Sequence, residues 1–242
     1  MPGRDIRISG GTHRGVSRNF LTLLREADPR SDYVAFCDQD DVWDPEKLAR
    51  AVDRLEEMPR GVPALYCGRR VVTDAQLTPL GLSQAVPRPP CFRNALVENI
   101  ASSITLIANR AALDILRAAA EAHAGMVSFH DWWAYQVVSG VGGSVVHDPR
   151  PMVFHRRHDA ALSASTRYAT GDRRHAIKQN IAALSAISPL LTPGNRALVN
   201  AFADFREATL TARLTGLRKA RLHRQTRTGQ AALWAAAITG SF

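Results

Sequence analysis

Several things are scarce or missing in this sequence, and each omission narrows what the chain can be. Three cysteines in 242 residues (Cys37, Cys67 and Cys91) are too few and too widely spaced for a disulfide framework or a zinc knuckle. They point to a reducing compartment. No apolar run approaches the ~20 residues that a spanning helix needs, and the first residues lack a signal-peptide core. The expected home is the cytoplasm or the surface of a membrane. No internal repeat, low-complexity tract or P-loop pattern occurs, which sets aside solenoids, disordered linkers and P-loop nucleotide hydrolases. Acidic residues are rare in the last third. Residues 161–242 hold 3 Asp+Glu against 12 Lys+Arg, while residues 1–160 hold 19 of each, so the net +9 lies wholly in the final segment. A block of that kind suits an anionic membrane surface or nucleic acid, or is a solvated helix face. No nucleic-acid-binding module or aromatic–basic interleaving accompanies it, which argues against nucleic acid.

What is present alternates between strand and helix patterns. Ile6-Arg7-Ile8 reads as a short strand. Val16, Phe20, Leu23 and Leu24 recur at helical spacing. Residues 33–37 (YVAFC) form a continuous apolar run, the pattern of a strand buried on both faces of a largely parallel sheet. Pro45 then opens a helix carrying Leu48, Val52 and Leu55. A strand is expected at residues 64–67 and a Pro/Gly-rich surface loop at 78–90. A strand over 102–108, a helix over 111–122 and a second helix from His130 follow. Two short strands lie at 145–147 and 152–154. Beyond residue 160 the pattern is helical, broken at Ser188-Pro189 and Pro193-Gly194. The reading is an α/β layer fold over residues 1–160 with a basic helical region over 161–242.

The sharpest feature is Asp38-Gln39-Asp40-Asp41 directly after the apolar run. Carboxylates gathered at the end of a strand repel one another and need a cation or hydrogen-bond donors. The carboxyl ends of strands are where open α/β sheets bind ligands. Hard oxygen donors there suit Mg²⁺ or Mn²⁺ on a substrate diphosphate. Helix capping is the plainer alternative, but Asp44 alone serves that purpose and leaves the other three unexplained. A phosphohydrolase would also place carboxylates after a strand, yet no accompanying nucleophile or phosphate cradle is evident.

Residues 33–48 (YVAFCDQDDVWDPEKL) closely resemble the D-x-D segment of family 2 glycosyltransferases, especially the rhamnosyltransferase-like branch. Further segments follow in the family's order. Asn99-Ile100-Ala101-Ser102-Ser103 leads to Asn109-Arg110 like the acceptor-side stretch, His130-Asp131-Trp132-Trp133 resembles the base motif, and Phe154-His155-Arg156-Arg157-His158 resembles the closing element. The resemblance spans roughly residues 6–165. It implies a GT-A fold with Rossmann-like α/β/α layers and transfer of a sugar, with inversion, from a nucleotide-sugar donor to an acceptor hydroxyl. By the same pattern Asp38 and Asp40 face the donor, Asp40, Asp41 and His158 hold the divalent ion, and Asp131 is the general base. Asp131 could instead cap a helix, and His158 could be an ordinary loop histidine. Arg156 and Arg157 are candidates for the diphosphate. Ser103 stands on the acceptor side where the family has a glycine. Trp132 and Trp133 are open between acceptor platform and core.

The family normally begins with a further strand–helix–strand unit that holds the nucleotide, and Ile6-Arg7-Ile8 resembles the strand after it. The expectation is therefore a GT-A domain lacking about one βαβ unit, roughly 50 residues. The implied role is glycosyl transfer in bacterial surface-polysaccharide assembly, onto a lipid-linked saccharide, with the basic C-terminal region on an anionic membrane. The alternative is a catalytically impaired remnant or assembly partner.

Overall fold

The computed structural model of the chain describes residues 6–8, 15–122, 127–157 and 172–242. Two four-stranded sheets carry the α/β part. The first contains β1 (Tyr33–Ala35), β3 (Ala64–Gly68), β6 (Ile107–Asn109) and β7 (Ser144–Asp148), in the order β1-β6-β3-β7. Three of these strands run one way, and β6 runs against β1 and β3. All five residues of β3 are buried, as expected of an inner strand rich in apolar side chains. The second sheet contains β2 (Val42–Trp43), β4 (Val71–Thr73), β5 (Pro79–Leu82) and β8 (Val153–Arg156), in the order β2-β8-β4-β5.

The chain passes from the first sheet to the second three times, between β1 and β2, between β3 and β4, and between β7 and β8. Each crossing leaves a short connection at the junction of the sheets. The acidic loop is the first connection, Arg69-Arg70 the second, and residues 149–152 the third. Asp148 pins the third, because its buried carboxylate accepts from Arg50 Nε (2.5 Å), Tyr66 OH (3.0 Å) and the Arg150 N–H (2.9 Å). Burial pushes this carboxyl up, but these donors outweigh it and hold the pKa below the usual value.

Five helices pack on the α/β part: α1 (Val16–Glu26), α2 (Lys47–Glu56), α3 (Phe92–Ala95), α4 (Arg110–Ala122) and α5 (His130–Gly140). Among the described residues four more follow, α6 (Asp172–Ala186), α7 (Pro193–Arg206), α8 (Leu210–Ala220) and α9 (Arg227–Thr239). Pro193 opens α7 behind the Thr192 side chain, which accepts from the Asn195 N–H. The later helices do not stand apart. Ile177, Leu184, Phe202, Leu217 and Leu233 share one apolar core with Leu65, Leu113, Trp132 and Val137.

Several expectations need correction. Ile6-Arg7-Ile8 forms no strand; these residues are exposed, and strand structure requires a ladder partner that the described residues do not offer. The run at 33–37 yields a three-residue, half-buried strand paired with antiparallel β6, so continuous apolarity does not here mark burial on both faces. Residues 79–82 are a strand on the edge of the second sheet, where proline is tolerated. Residues 103–105 form a 3₁₀ turn before β6. Of the basic residues expected on a membrane face, Arg213 and Arg224 turn inward. Arg213 donates to the Ala208 and Ala237 carbonyls, both at 2.7 Å, and Arg224 Nε to the Val97 carbonyl (3.1 Å). Carbonyls at helix ends lack intrahelical donors, and guanidinium groups meet that need. No helix among the described residues is long and apolar enough to cross a membrane.

Candidate active site

The site forms where the first two crossings meet the start of α5. The Phe36 N–H donates to the Leu106 carbonyl (3.2 Å), carrying the β1–β6 pairing one residue past the strand. The chain then turns through Cys37-Asp38-Gln39-Asp40-Asp41 into β2, which pairs with β8. That pairing fixes Asp41 against the end of β8. Asp41 Oδ1 accepts from His155 Nδ1 (3.0 Å) and from the Arg156 N–H (3.1 Å). Its side chain is only 1% exposed. Its other oxygen, Oδ2, is buried without a hydrogen-bond partner among the described residues. A buried, half-satisfied carboxylate is costly unless something else completes it.

Asp38 is half-buried beside this centre. Burial raises its pKa, and the neighbouring charges of Asp41, Asp40 and Asp131 raise it further, in that order, while His155 opposes them. The acidic loop and Asp131 therefore share one electrostatic field, although some ninety residues of chain separate them. Beneath the loop, Lys47 is buried with Nζ donating to the Ile104 carbonyl (2.8 Å) and lying 3.2 Å from the centre of the Trp43 ring. Burial lowers its pKa to about 7, against the pull of Cys37 and Asp41. Asp44 accepts from the Glu46 N–H (2.9 Å) and so organises the entry to α2, leaving Asp38, Asp40 and Asp41 free of that task.

Asp131 stands in the first turn of α5, where the helix dipole favours a negative charge. Its Oδ1 accepts from the Trp132 N–H (2.6 Å) and its Oδ2 from the Ser103 N–H (3.1 Å). Ser103 thus meets the candidate base through its backbone. Asp131 borders a cleft of about 500 Å³ whose wall also includes Gly68, Arg70, Glu98, Asn99 and Ser102.

The remaining candidates fall out differently. Trp132 and Trp133 are 0% and 1% exposed, and Trp132 Nε1 donates to the Ala95 carbonyl (2.6 Å). Both indoles pack in the core, and Trp132 also forms part of the cleft wall beside Asp131. Arg156 lies beside Asp41, with its Nε buried and unpartnered among the described residues. Arg157 is exposed; its N–H donates to the Thr73 carbonyl (2.9 Å), extending the β4–β8 pairing. His158 lies outside the described residues. Among those described, no three His, Cys, Asp or Glu side chains gather closely enough to hold a metal ion unaided.

Two residues were missed in the sequence. His155 lies inside the closing motif, but the motif alone does not say which of its histidines meets the acidic loop. Its place directly in β8 was the available clue. Arg70 follows strand β3 with nothing in its local pattern to mark it, and only the crossing between sheets brings it to the cleft.

Residues 4–112 match glycosyl transferase family 2. The chain is also similar to the dTDP-rhamnosyl transferase RfbG of Shigella flexneri, with 27% identity over 156 residues, covering 60% of this chain and 50% of that protein. The chain thus spans about half the length of the curated relative it matches. The matched segment, residues 4–112, contains the acidic loop and the strands around it, and over that segment the chain is similar to glycosyl transferase family 2.

Proposed function

We propose that the chain transfers a rhamnosyl group, with inversion, from dTDP-activated rhamnose to the hydroxyl of an acceptor, with Asp131 as general base. The donor in this reading is the one in the name of the similar transferase. The observation that carries the reading is the shared field of Asp38, Asp40, Asp41 and Asp131, with Asp131 bordering a cleft of about 500 Å³. In this reading the donor-side and acceptor-side carboxylates would act on one reaction from neighbouring positions.

In the transfer step, the acceptor oxygen bonds to the anomeric carbon as the bond from that carbon to the diphosphate breaks. Asp131 takes the hydroxyl proton, and dTDP leaves. Two backbone N–H donors at the start of α5 hold the Asp131 carboxylate in a fixed position beside the cleft, the positioning that a general base requires. Asp38 and Asp40 meet the donor, and Arg156 stands beside them for its phosphates.

A divalent Mg²⁺ or Mn²⁺ ion, when bound, stabilises the charge on the departing diphosphate. Asp40 and Asp41 fit such an ion by the chemistry of their hard oxygens and by the unpartnered Asp41 Oδ2. The diphosphate itself would complete a shell that the described side chains do not fill. In the same reading, residues 1–160 form the GT-A-like unit that carries the chemistry and residues 161–242 the helical region. Exposed Arg218, Lys219, Arg221 and Arg227, with Leu210 beside them, would lie on an anionic membrane at the cytoplasmic face, where a lipid-linked saccharide of surface-polysaccharide synthesis is presented.

The test is dTDP binding to the chain, followed by rhamnosyl transfer with and without chelator. Binding and metal-dependent transfer would support the reading. A folded chain that binds no dTDP would overturn it and favour an assembly role.

A further inference from the structure

The cleft beside Asp131 contains a positive group that the transfer chemistry described above does not use. Arg70 sits at the second crossing between the sheets, and its backbone is clamped on both sides. The Arg70 N–H donates to Ser83 Oγ (3.1 Å), the Ser83 N–H donates to the Arg70 carbonyl (2.9 Å), and Arg69 binds the Ser83 carbonyl through Nε (3.1 Å) and Nη2 (2.5 Å). The backbone from which the Arg70 side chain projects is thereby set by the fold. Yet its Nε is buried with no hydrogen-bond partner among the described residues.

The acidic groups along the cleft do not supply that partner. Glu98 accepts from Gln84, Asn94 and the Gln225 N–H, and Asp131 from two backbone N–H groups. Asp131 and Asp41 act on Arg70 only through their fields; burial pulls its pKa down and these two carboxylates pull it back up. A guanidinium presents five donors in a planar fork suited to the oxygens of a carboxylate or phosphate. Leaving the buried Nε donor unmet beside an open cleft is costly, and an incoming anion would remove the cost.

We propose that Arg70 binds an anionic group, phosphoryl or carboxylate, carried by the acceptor, and so selects acidic acceptors and orients their hydroxyl toward Asp131. The proposal rests on the transferase reading for the word acceptor, but the anion site stands on its own geometry. The group is placed on the acceptor because Arg70 lines the cleft with Asp131, whereas the donor-side Asp38, Asp40 and Asp41 do not line it.

The experiment measures binding of glucose 1-phosphate, glucuronate and methyl glucoside to the full chain, with and without saturating dTDP and Mg²⁺. The wild-type chain should bind at least one of the two anionic sugars about tenfold or more tightly than methyl glucoside, as expected of a charge-assisted hydrogen bond in a partly buried site. Arg70→Gln should abolish that preference, and Arg70→Lys should retain part of it, because lysine keeps the charge without the fork. A preference for the phosphate alone marks a phosphorylated acceptor; one for glucuronate alone marks an acidic saccharide. No preference in the wild type, or an equal preference in Arg70→Gln, overturns the proposal. Should Arg70→Gln not fold, Arg70→Lys decides, and an undiminished preference there also overturns it. Failure of dTDP to bind would count against the transferase reading and leave the anion measurement standing.

Discussion

His155 Nδ1 lies 3.0 Å from Asp41 Oδ1, joining the acidic loop to the end of β8 and leaving Oδ2 of the same buried carboxylate without a partner. A histidine that fixes a carboxylate from behind controls how well that carboxylate would present its other oxygen to the proposed divalent ion. His155→Ala should weaken Mn²⁺ activation by about 10–100-fold, the usual effect of removing such a supporting partner. Activity measured against Mn²⁺ concentration checks this; an unchanged activation curve would show that Asp41 does not depend on His155.

Asp131→Asn keeps the shape of the side chain and removes its basicity. Rhamnosyl transfer should fall by about 10²–10⁴-fold, with dTDP binding retained. Single-turnover rates and equilibrium dTDP binding, measured on the same preparation, separate the two effects. A parallel loss of dTDP binding would place Asp131 in the nucleotide site.

Asp38 carries a pKa raised by burial and by Asp41, Asp40 and Asp131. The folded state therefore holds this proton more firmly than the unfolded chain does. The associated stability is present in full at acid pH and is lost as pH rises through the folded-state pKa. Asp38→Asn mimics the protonated carboxyl. It should raise the Tm at neutral pH, with a gain that shrinks as the pH is lowered through the range where Asp38 takes up its proton. Thermal melts across that range test the sign, and a lower Tm at pH 7 would contradict it.

Gly216 of α8 leaves no room for a β-carbon, because the Phe205 ring of α7 lies directly against it. Gly216→Ala should cost about 1–3 kcal/mol through overpacking, which corresponds to a Tm lower by several degrees in a chain of this size. No change in Tm would mean that α7 and α8 are not packed in this way.

Of Arg213, Arg218, Lys219, Arg221, Arg224 and Arg227, which lie together in the sequence, four are exposed while Arg213 and Arg224 turn inward. At about 1 kcal/mol for each cation near an anionic leaflet, replacing Arg218, Lys219, Arg221 and Arg227 with glutamine should abolish co-sedimentation with phosphatidylserine vesicles. Wild-type binding should weaken with added salt. Equal binding by both chains would leave this face as ordinary solvated surface.

Local features of the sequence were legible and long-range ones were not. Helices α4 and α5 follow from apolar spacing, α7 from Pro193, and the acidic loop from its own residues, because each signal lies within a few positions. The order of the strands, and hence the meeting of Asp41 with His155 and of Arg70 with the cleft, depends on three crossings between sheets that no local pattern encodes. Trp132 and Trp133 show the limit in another form. Two adjacent aromatics beside a candidate base read equally well as a sugar platform or as core, and the Ala95 carbonyl that holds Trp132 is far away in sequence. Residues 79–82 were hidden by proline and glycine, which an edge strand accepts.

Helices beyond residue 172 also brace the cleft from behind. The segment from Ala220 to Gln225 receives the Arg93 guanidinium and Asn94 Nδ2, donates to Val97 from Arg224, and donates to Glu98 from the Gln225 N–H. Glu98 is itself part of the cleft wall. In the proposed transfer reading the two substrates then depend on different stretches of chain: the acidic loop within residues 4–112 would serve the donor, and the cleft wall at Glu98 leans on the C-terminal helices. Exchanging residues 172–242 between homologues is then a route to altered acceptor choice at constant donor, and drift in this C-terminal region would let related enzymes diversify the glycans they build from one activated sugar.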